Sequence, residues 1–170
     1  NDFAAGDVLY LNRAGSTFVN VADAAQNHQS YSSMGVEIAD LNDDLRPDIF
    51  VLDMLPRAYG AQKRYRVGTE YETLRKEMSR GIMPQFEYNA LHLHRGVDRR
   101  GIPRYSEIGR LTGLAATNWS WAPLLVDLDN DARTDVYVTN GFPKNILDQD
   151  FLNEVTQSLT FGTKKSRRAK

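Results

Sequence analysis

Residues 40–56 read DLNDDLRPDIFVLDMLP, and residues 127–143 read DLDNDARTDVYVTNGFP. Seven of these seventeen positions are identical at an offset of 87 (127 − 40), and Ile49/Val136 and Phe50/Tyr137 are conservative exchanges. The register extends backwards, setting Ser33-Met34 against Ser120-Trp121 and Phe18 against Tyr105. Val8-Leu9-Tyr10-Leu11-Asn12 resembles Ala90-Leu91-His92-Leu93-His94 at an offset of 82 (90 − 8), the difference falling in a longer loop around Arg95 to Arg104. Internal similarity of this kind predicts one structural unit used twice.

Each copy reads as short strands around an acidic loop. Leu9 and Leu11 alternate with polar neighbours, as do Leu91 and Leu93 and the stretch Thr17 to Val21, a period of two that marks half-buried strands. An apolar strand approaches each loop (Val36 to Ala39; Pro123 to Val126) and another leaves it (Ile49 to Leu52; Val136 to Val138). Short β-branched apolar runs suit strands buried on both faces. Between the copies, Thr69-Glu70-Tyr71-Glu72 has the pattern of a capping box. Tyr71, Leu74 and Met78 share one helical face, and Gly81 and Pro84 supply a stop, so a helix is expected over 69–80. A second helix is expected over 150–160, with Phe151, Val155 and Leu159 on one side, followed by a solvated basic tail at 163–170.

The loops carry the chemistry. Asp40, Asn42, Asp44 and Asp48 occupy positions one, three, five and nine of the first, and Asp127, Asp129, Asp131 and Asp135 those of the second. Calcium takes about six to eight oxygen ligands, and side chains on alternate positions of a tight loop converge on one point. The position-seven carbonyls of Arg46 and Arg133 complete the expected set. Without a cation, crowded carboxylates repel and raise one another's pKa. A solvent-exposed acidic turn is the plainer reading of one such loop; two in one register favour the metal. An EF-hand is excluded, because position twelve holds Val51 and Val138 where a bidentate Glu is needed, and strands follow instead of helices. Position six favours glycine but holds Leu45 and Ala132, so strain of about 1 kcal/mol per loop is expected. With four carboxylates, the second loop is expected to bind more tightly.

These residues resemble the FG-GAP/VCBS-like repeat proteins, calcium-loop β-propellers that include the integrin α-subunit head. The similarity covers 8–56 and 90–143, about three fifths of the chain. Phe86 to Leu93, Tyr105-Ser106-Glu107-Ile108, Trp119-Ser120-Trp121 and Thr139-Asn140-Gly141 are similar to large VCBS-repeat proteins of bacterial cell envelopes. The resemblance implies an all-β propeller with helical insertions and a calcium loop joining the first two strands of a blade. On that mapping 8–22 end one blade, 34–109 form a second with its helical insert, and 119–143 open a third. A propeller needs at least about four blades, so the chain is expected to be an excised piece of a larger protein. Its expected partners are the remaining blades or another protein, and its expected place is extracellular or on the cell envelope, where calcium is plentiful.

Composition narrows the alternatives. Hydrophobic content of 41% and charged content of 25% are those of a folded domain rather than a disordered chain. A net charge of −1 lacks the basic excess that nucleic acid needs. No apolar run reaches the roughly 18–20 residues of a membrane span. The absence of cysteine removes disulfides, thiolate zinc sites and a thiol nucleophile. His92 and His94, two apart on a strand, could pair on zinc, but His28 is the sole further histidine and ordinary polar strand positions are expected. Trp119 and Trp121 are expected to pack between blades, or to form a platform for a sugar ring. Asp53 reads as a hydrogen-bonding residue at a strand end. No serine-hydrolase, zinc-protease or phosphate-loop motif is present, so a non-catalytic module is expected. The rival is a calcium-dependent polysaccharide-binding or lyase module using Tyr88, His92 and Arg95.

Overall fold

A computed structural model describes residues 6–65, 71–141 and 148–166, with side chains described to residue 159. The strands are β1 (Tyr10–Arg13), β2 (Thr17–Asn20), β3 (Gln29–Ser30), β4 (Val36–Ala39), β5 (Asp48–Val51), β6 (Gln85–Phe86), β7 (Ala90–Val97), β8 (Pro103–Glu107), β9 (Ser120–Val126) and β10 (Asp135–Asn140). The helices are α1 (Ala22–Ala25), α2 (Tyr59–Arg64), α3 (Tyr71–Ser79), α4 (Gly109–Thr112) and α5 (Gln149–Ser166). The fold is mostly β with helical insertions.

The centre is a four-stranded antiparallel sheet in the order β4-β5-β7-β8. All four residues of β5 are buried, because both sheet faces are covered. On one face Ile49, Val51, Ala90 and Tyr105 pack with Val21, Ala25 and the half-buried Leu9 and Leu11 of the β1–β2 region. On the other, Phe50, Leu52 and Leu91 pack with Leu125, Val136 and Val138 of the β9–β10 hairpin. The core is therefore two apolar seams, one on each side of the central sheet. Burying each large side chain contributes about 1.5–3 kcal/mol.

Hairpin registers coincide once the sequence offsets are applied. Val36 pairs with Val51 and Ala39 with Asp48; Pro123 pairs with Val138 and Val126 with Asp135, each shifted by 87 (123 − 36). Tyr10 pairs with Asn20 as His92 pairs with Glu107, at the offsets of 82 and 87. Even the local clamps correspond: Asn20 Oδ1 accepts the Leu9 and Ala22 N–H groups, and Glu107 Oε1 accepts those of Leu91 and Gly109.

Burial departs from the expectation in three places. Of the apolar strands flanking the loops, only β5 is covered on both faces. Val36 and Ile38 of β4 are exposed because β4 is an edge, and β9–β10 has no further layer outside it among the described residues. Every residue of β2 is exposed, Phe18 by 62%, since no described element flanks that side of its hairpin. The apolar stripes of α3 and α5 also lie open, with Tyr71, Met78, Phe151, Val155 and Leu159 exposed.

The β5–β7 connection holds α2, α3 and β6, and β6 pairs in parallel with β3. Helix α2 has no counterpart among the expected elements, and α5 runs to Ser166, past the expected end at 160 and into 163–166 of the expected tail. Thr69 and Glu70 of the expected cap and 167–170 of the tail lie outside the described residues. Arg64 Nε meets Asp148 Oδ2 at 2.7 Å beside a Tyr65–Asp148 bridge, tying this connection to the start of α5.

Candidate metal centre

Both acidic loops are hairpin turns held by their own first carboxylate. In the first, Asp40 accepts N–H groups from Leu45 (2.6 Å), Asp44 (3.1 Å) and Asn42 (3.3 Å). Partial desolvation pushes the Asp40 carboxyl up, but these backbone donors outweigh it and leave the carboxyl below its ordinary value. In the second, Asp127 accepts from Ala132 (2.9 Å) and Asp131 (3.1 Å). The turns share one backbone path. Asp43 and Leu45 have φ of 58° and 64°, and Asn130 and Ala132 have 61° and 65°. Position six is thus left-handed in both, although neither residue is glycine.

The loops differ in what their carboxylates do next. Asp127, Asp129 and Asp135 each place an oxygen so that all three lie within 4.8 Å of one another. Three hard anionic oxygens at that separation can hold a metal ion. Asp131 turns one oxygen to the Arg133 N–H (2.9 Å). In the first loop, Asp44 takes the Asn42 amide (3.3 Å) and stands 3.6 Å from the Arg46 guanidinium. Asp48 is fully buried, its Oδ2 accepting from Leu41 N (3.0 Å) and its Oδ1 from His94 N (2.7 Å). Among the described residues the first loop gathers no three-carboxylate cluster, because its position three, Asp129 in the second loop, is the amide Asn42.

Compared with protein-family models, curated proteins and solved structures, the chain matches none.

One contact joins the two loops. Thr134 Oγ1 donates to the Asp40 carbonyl at 3.3 Å. Sequence reading had no signal for this bond, because Thr134 corresponds to Pro47 in the first copy.

The remaining candidates are dispersed. His92 and His94 are buried, not ordinary polar strand positions, and each stacks edgewise on Tyr105 at ring separations of 6.3 and 5.0 Å. Burial, then the neighbouring His28, hold His92 down to about 4. Asp53 is a buried hub at the end of β5, its carboxylate accepting from Ser30 Oγ and the backbone N–H groups of Tyr31, Ser32 and Met54. Trp121 is half exposed, with its indole over Gly141, where any side chain would collide with the ring. The carbonyl of the partly buried Trp119 accepts the Gly141 N–H.

A groove lies apart from the loops, lined by Phe86, Glu87, Tyr88 and Arg110. The Tyr88 hydroxyl meets His28 Nε2 at 3.1 Å, and the Arg110 guanidinium sits 4.5 Å above the Tyr88 ring. Burial lowers the His28 pKa and raises that of Tyr88. Glu87 Oε1 is buried with no hydrogen-bond partner among the described residues, and burial, then the charge of Asp53, push this carboxyl up to about 7. Arg95 stands away from the groove, exposed on β7.

Proposed function

We propose that the chain is a calcium-binding, non-catalytic segment of a β-propeller that serves protein binding or scaffolding at the cell surface. The supporting observation is the approach of Asp127, Asp129 and Asp135 to within 4.8 Å on a hairpin loop. Hard carboxylate oxygens without nitrogen or sulfur donors favour calcium over transition metals. The shared registers of the hairpins, and the stacking of hairpin, sheet and hairpin, suit successive propeller blades. Exposed loop sites with Kd of about 10⁻⁴ to 10⁻³ M fill only where calcium is abundant, which favours an extracellular or envelope location. No helix among the described residues is long and apolar enough to cross a membrane.

Calcium bound only to the folded state stabilises it by RT ln(1 + [L]/Kd), about 2.7 kcal/mol at a hundredfold excess over Kd. Calcium titration should raise Tm and EDTA should reverse it, and Asp129→Asn should abolish most of the rise. A Tm indifferent to both reagents overturns the proposal.

A second reading, a calcium-dependent polysaccharide-binding or lyase module, is favoured by the Tyr88–His28 contact beside Arg110. A phenol held by an imidazole can relay a proton to or from substrate while a guanidinium holds a uronate carboxylate. Its test is the appearance of an ultraviolet-absorbing unsaturated product from acidic polysaccharides.

A further inference from the structure

The two outer hairpins correspond to the two halves of the central sheet. Hairpin β9–β10 repeats the register of β4–β5, and β1–β2 repeats that of β7–β8. In the central sheet these halves join along β5 and β7. Among the described residues, β10 and β1 each lack that neighbour.

The free edges can be assigned atom by atom. Leu9 directs its backbone towards β2, its O accepting Val21 N and its N–H meeting Asn20 Oδ1. Successive residues of an antiparallel strand alternate direction, so Tyr10 and Asn12 point their N–H groups to the open side. Their counterparts His92 and His94 face β5, and His94 N donates to Asp48. By the same alternation Leu52, which donates to the Gly35 carbonyl, faces β4, so Ile49 and Val51 face β7. Their counterparts Val136 and Val138 therefore face the open side of β10. Asp135, the counterpart of Asp48, accepts the Leu128 N–H, and among the described residues no donor corresponds to the His94 N–H.

We propose that the β10 edge is a docking site for β1 of a second copy of this chain, completing a sheet in the order β9-β10-β1-β2. The occupant follows from the chain itself, because β1 has the register and the free edge that β7 presents to β5. Asn12 N of the second copy would donate to Asp135 Oδ1; a carboxylate oxygen has two lone pairs, so a cation on Asp135 remains compatible. Unpaired edges of this kind are templates for added strands. The contact is head-to-tail and becomes finite only by closing a ring. Each copy would supply two full sheets, and propellers close with about four to eight, so two to four copies are expected. This inference rests on the propeller reading above.

Light scattering with size exclusion should give two to four times the 19.2 kDa chain mass, and the Val136 and Val138 amides should gain protection from hydrogen exchange as concentration rises. Tyr10→Pro removes an outward N–H while sparing the β1–β2 ladder, and should return the mass to one chain. Val138→Pro, on the opposite edge, should do the same if the first variant misfolds. A monomeric wild-type chain, an assembly unmoved by either folded variant, or β10 amides that never gain protection overturns the inference. Calcium titration of the same samples separates the two ideas: a monomer that binds calcium sinks the docking alone, and an assembly that ignores calcium sinks the metal proposal alone.

Discussion

The Thr134 hydroxyl donates to the backbone carbonyl of Asp40 at 3.3 Å, so the turn of the second acidic loop is fastened to the entrance of the first. Residues on two separate sheets thereby share one bond at the same end of the stack. Thr134→Val keeps the shape and removes the donor. It should lower stability by about 0.5–1.5 kcal/mol in urea unfolding, and calcium affinity of the second loop should fall with it.

Left-handed backbone at Leu45 and Ala132 identifies strain that substitution can relieve. Leu45 is 94% exposed and contributes no packing that its loss would forfeit. Leu45→Gly and Ala132→Gly should each stabilise the protein by up to about 1 kcal/mol, the αL penalty minus the added unfolded-state freedom. Urea midpoints with and without calcium measure this; a loss of stability in both variants would contradict the turn geometry.

The contrast between loops sets an order of affinity. Asp127→Ala should reduce calcium binding in calorimetry more than Asp40→Ala, because the first loop has the amide Asn42 in place of Asp129 and its Asp48 Oδ1 already accepts the His94 N–H. A larger loss for Asp40→Ala reverses the ranking.

Gly35 lies where β4 meets β9. A Cβ there would strike the Trp121 carbonyl, and neither backbone can yield without moving a sheet. Gly35→Ala should cost about 1–3 kcal/mol, read as a fall in Tm, while Gly60→Ala, which meets open space, serves as the control.

Two buried titrations give opposite pH slopes. Glu87, raised from an ordinary 4.5 to about 7, binds its proton more tightly in the fold, so stability declines as pH rises through that window. His92, lowered from 6.5 to about 4, is held neutral, and its contribution is present above 6.5 and lost as pH falls towards 4. Glu87→Gln should therefore raise Tm at pH above about 7 and leave it unchanged below the ordinary carboxylate range. An unchanged profile would mean Glu87 finds water or a partner.

Much of this architecture was legible in residue order. The doubled acidic pattern, the alternation of Leu9/Leu11 and Leu91/Leu93 and the β-branched runs locate the hairpins and loops, because turn chemistry and period-two burial act over a few residues. Alternation could not reveal that β2 and β4 are exposed, since exposure depends on whether another layer arrives. Nor did it mark Thr134 or Glu87, whose surroundings come from distant segments.

Sequence alone determined where the chain turns, which strands pair locally and which oxygens each loop carries, all consequences of short-range sterics and polarity. Only the tertiary structure decided how those oxygens are used. In the first copy β7 returns to lay the His94 N–H on Asp48 and seals that carboxylate in the sheet. In the second no described strand does so, and Asp135 stays beside Asp127 and Asp129. Residue order already set Asn42 against Asp129; packing added the second difference, because a carboxylate's partners are set by what lies against it.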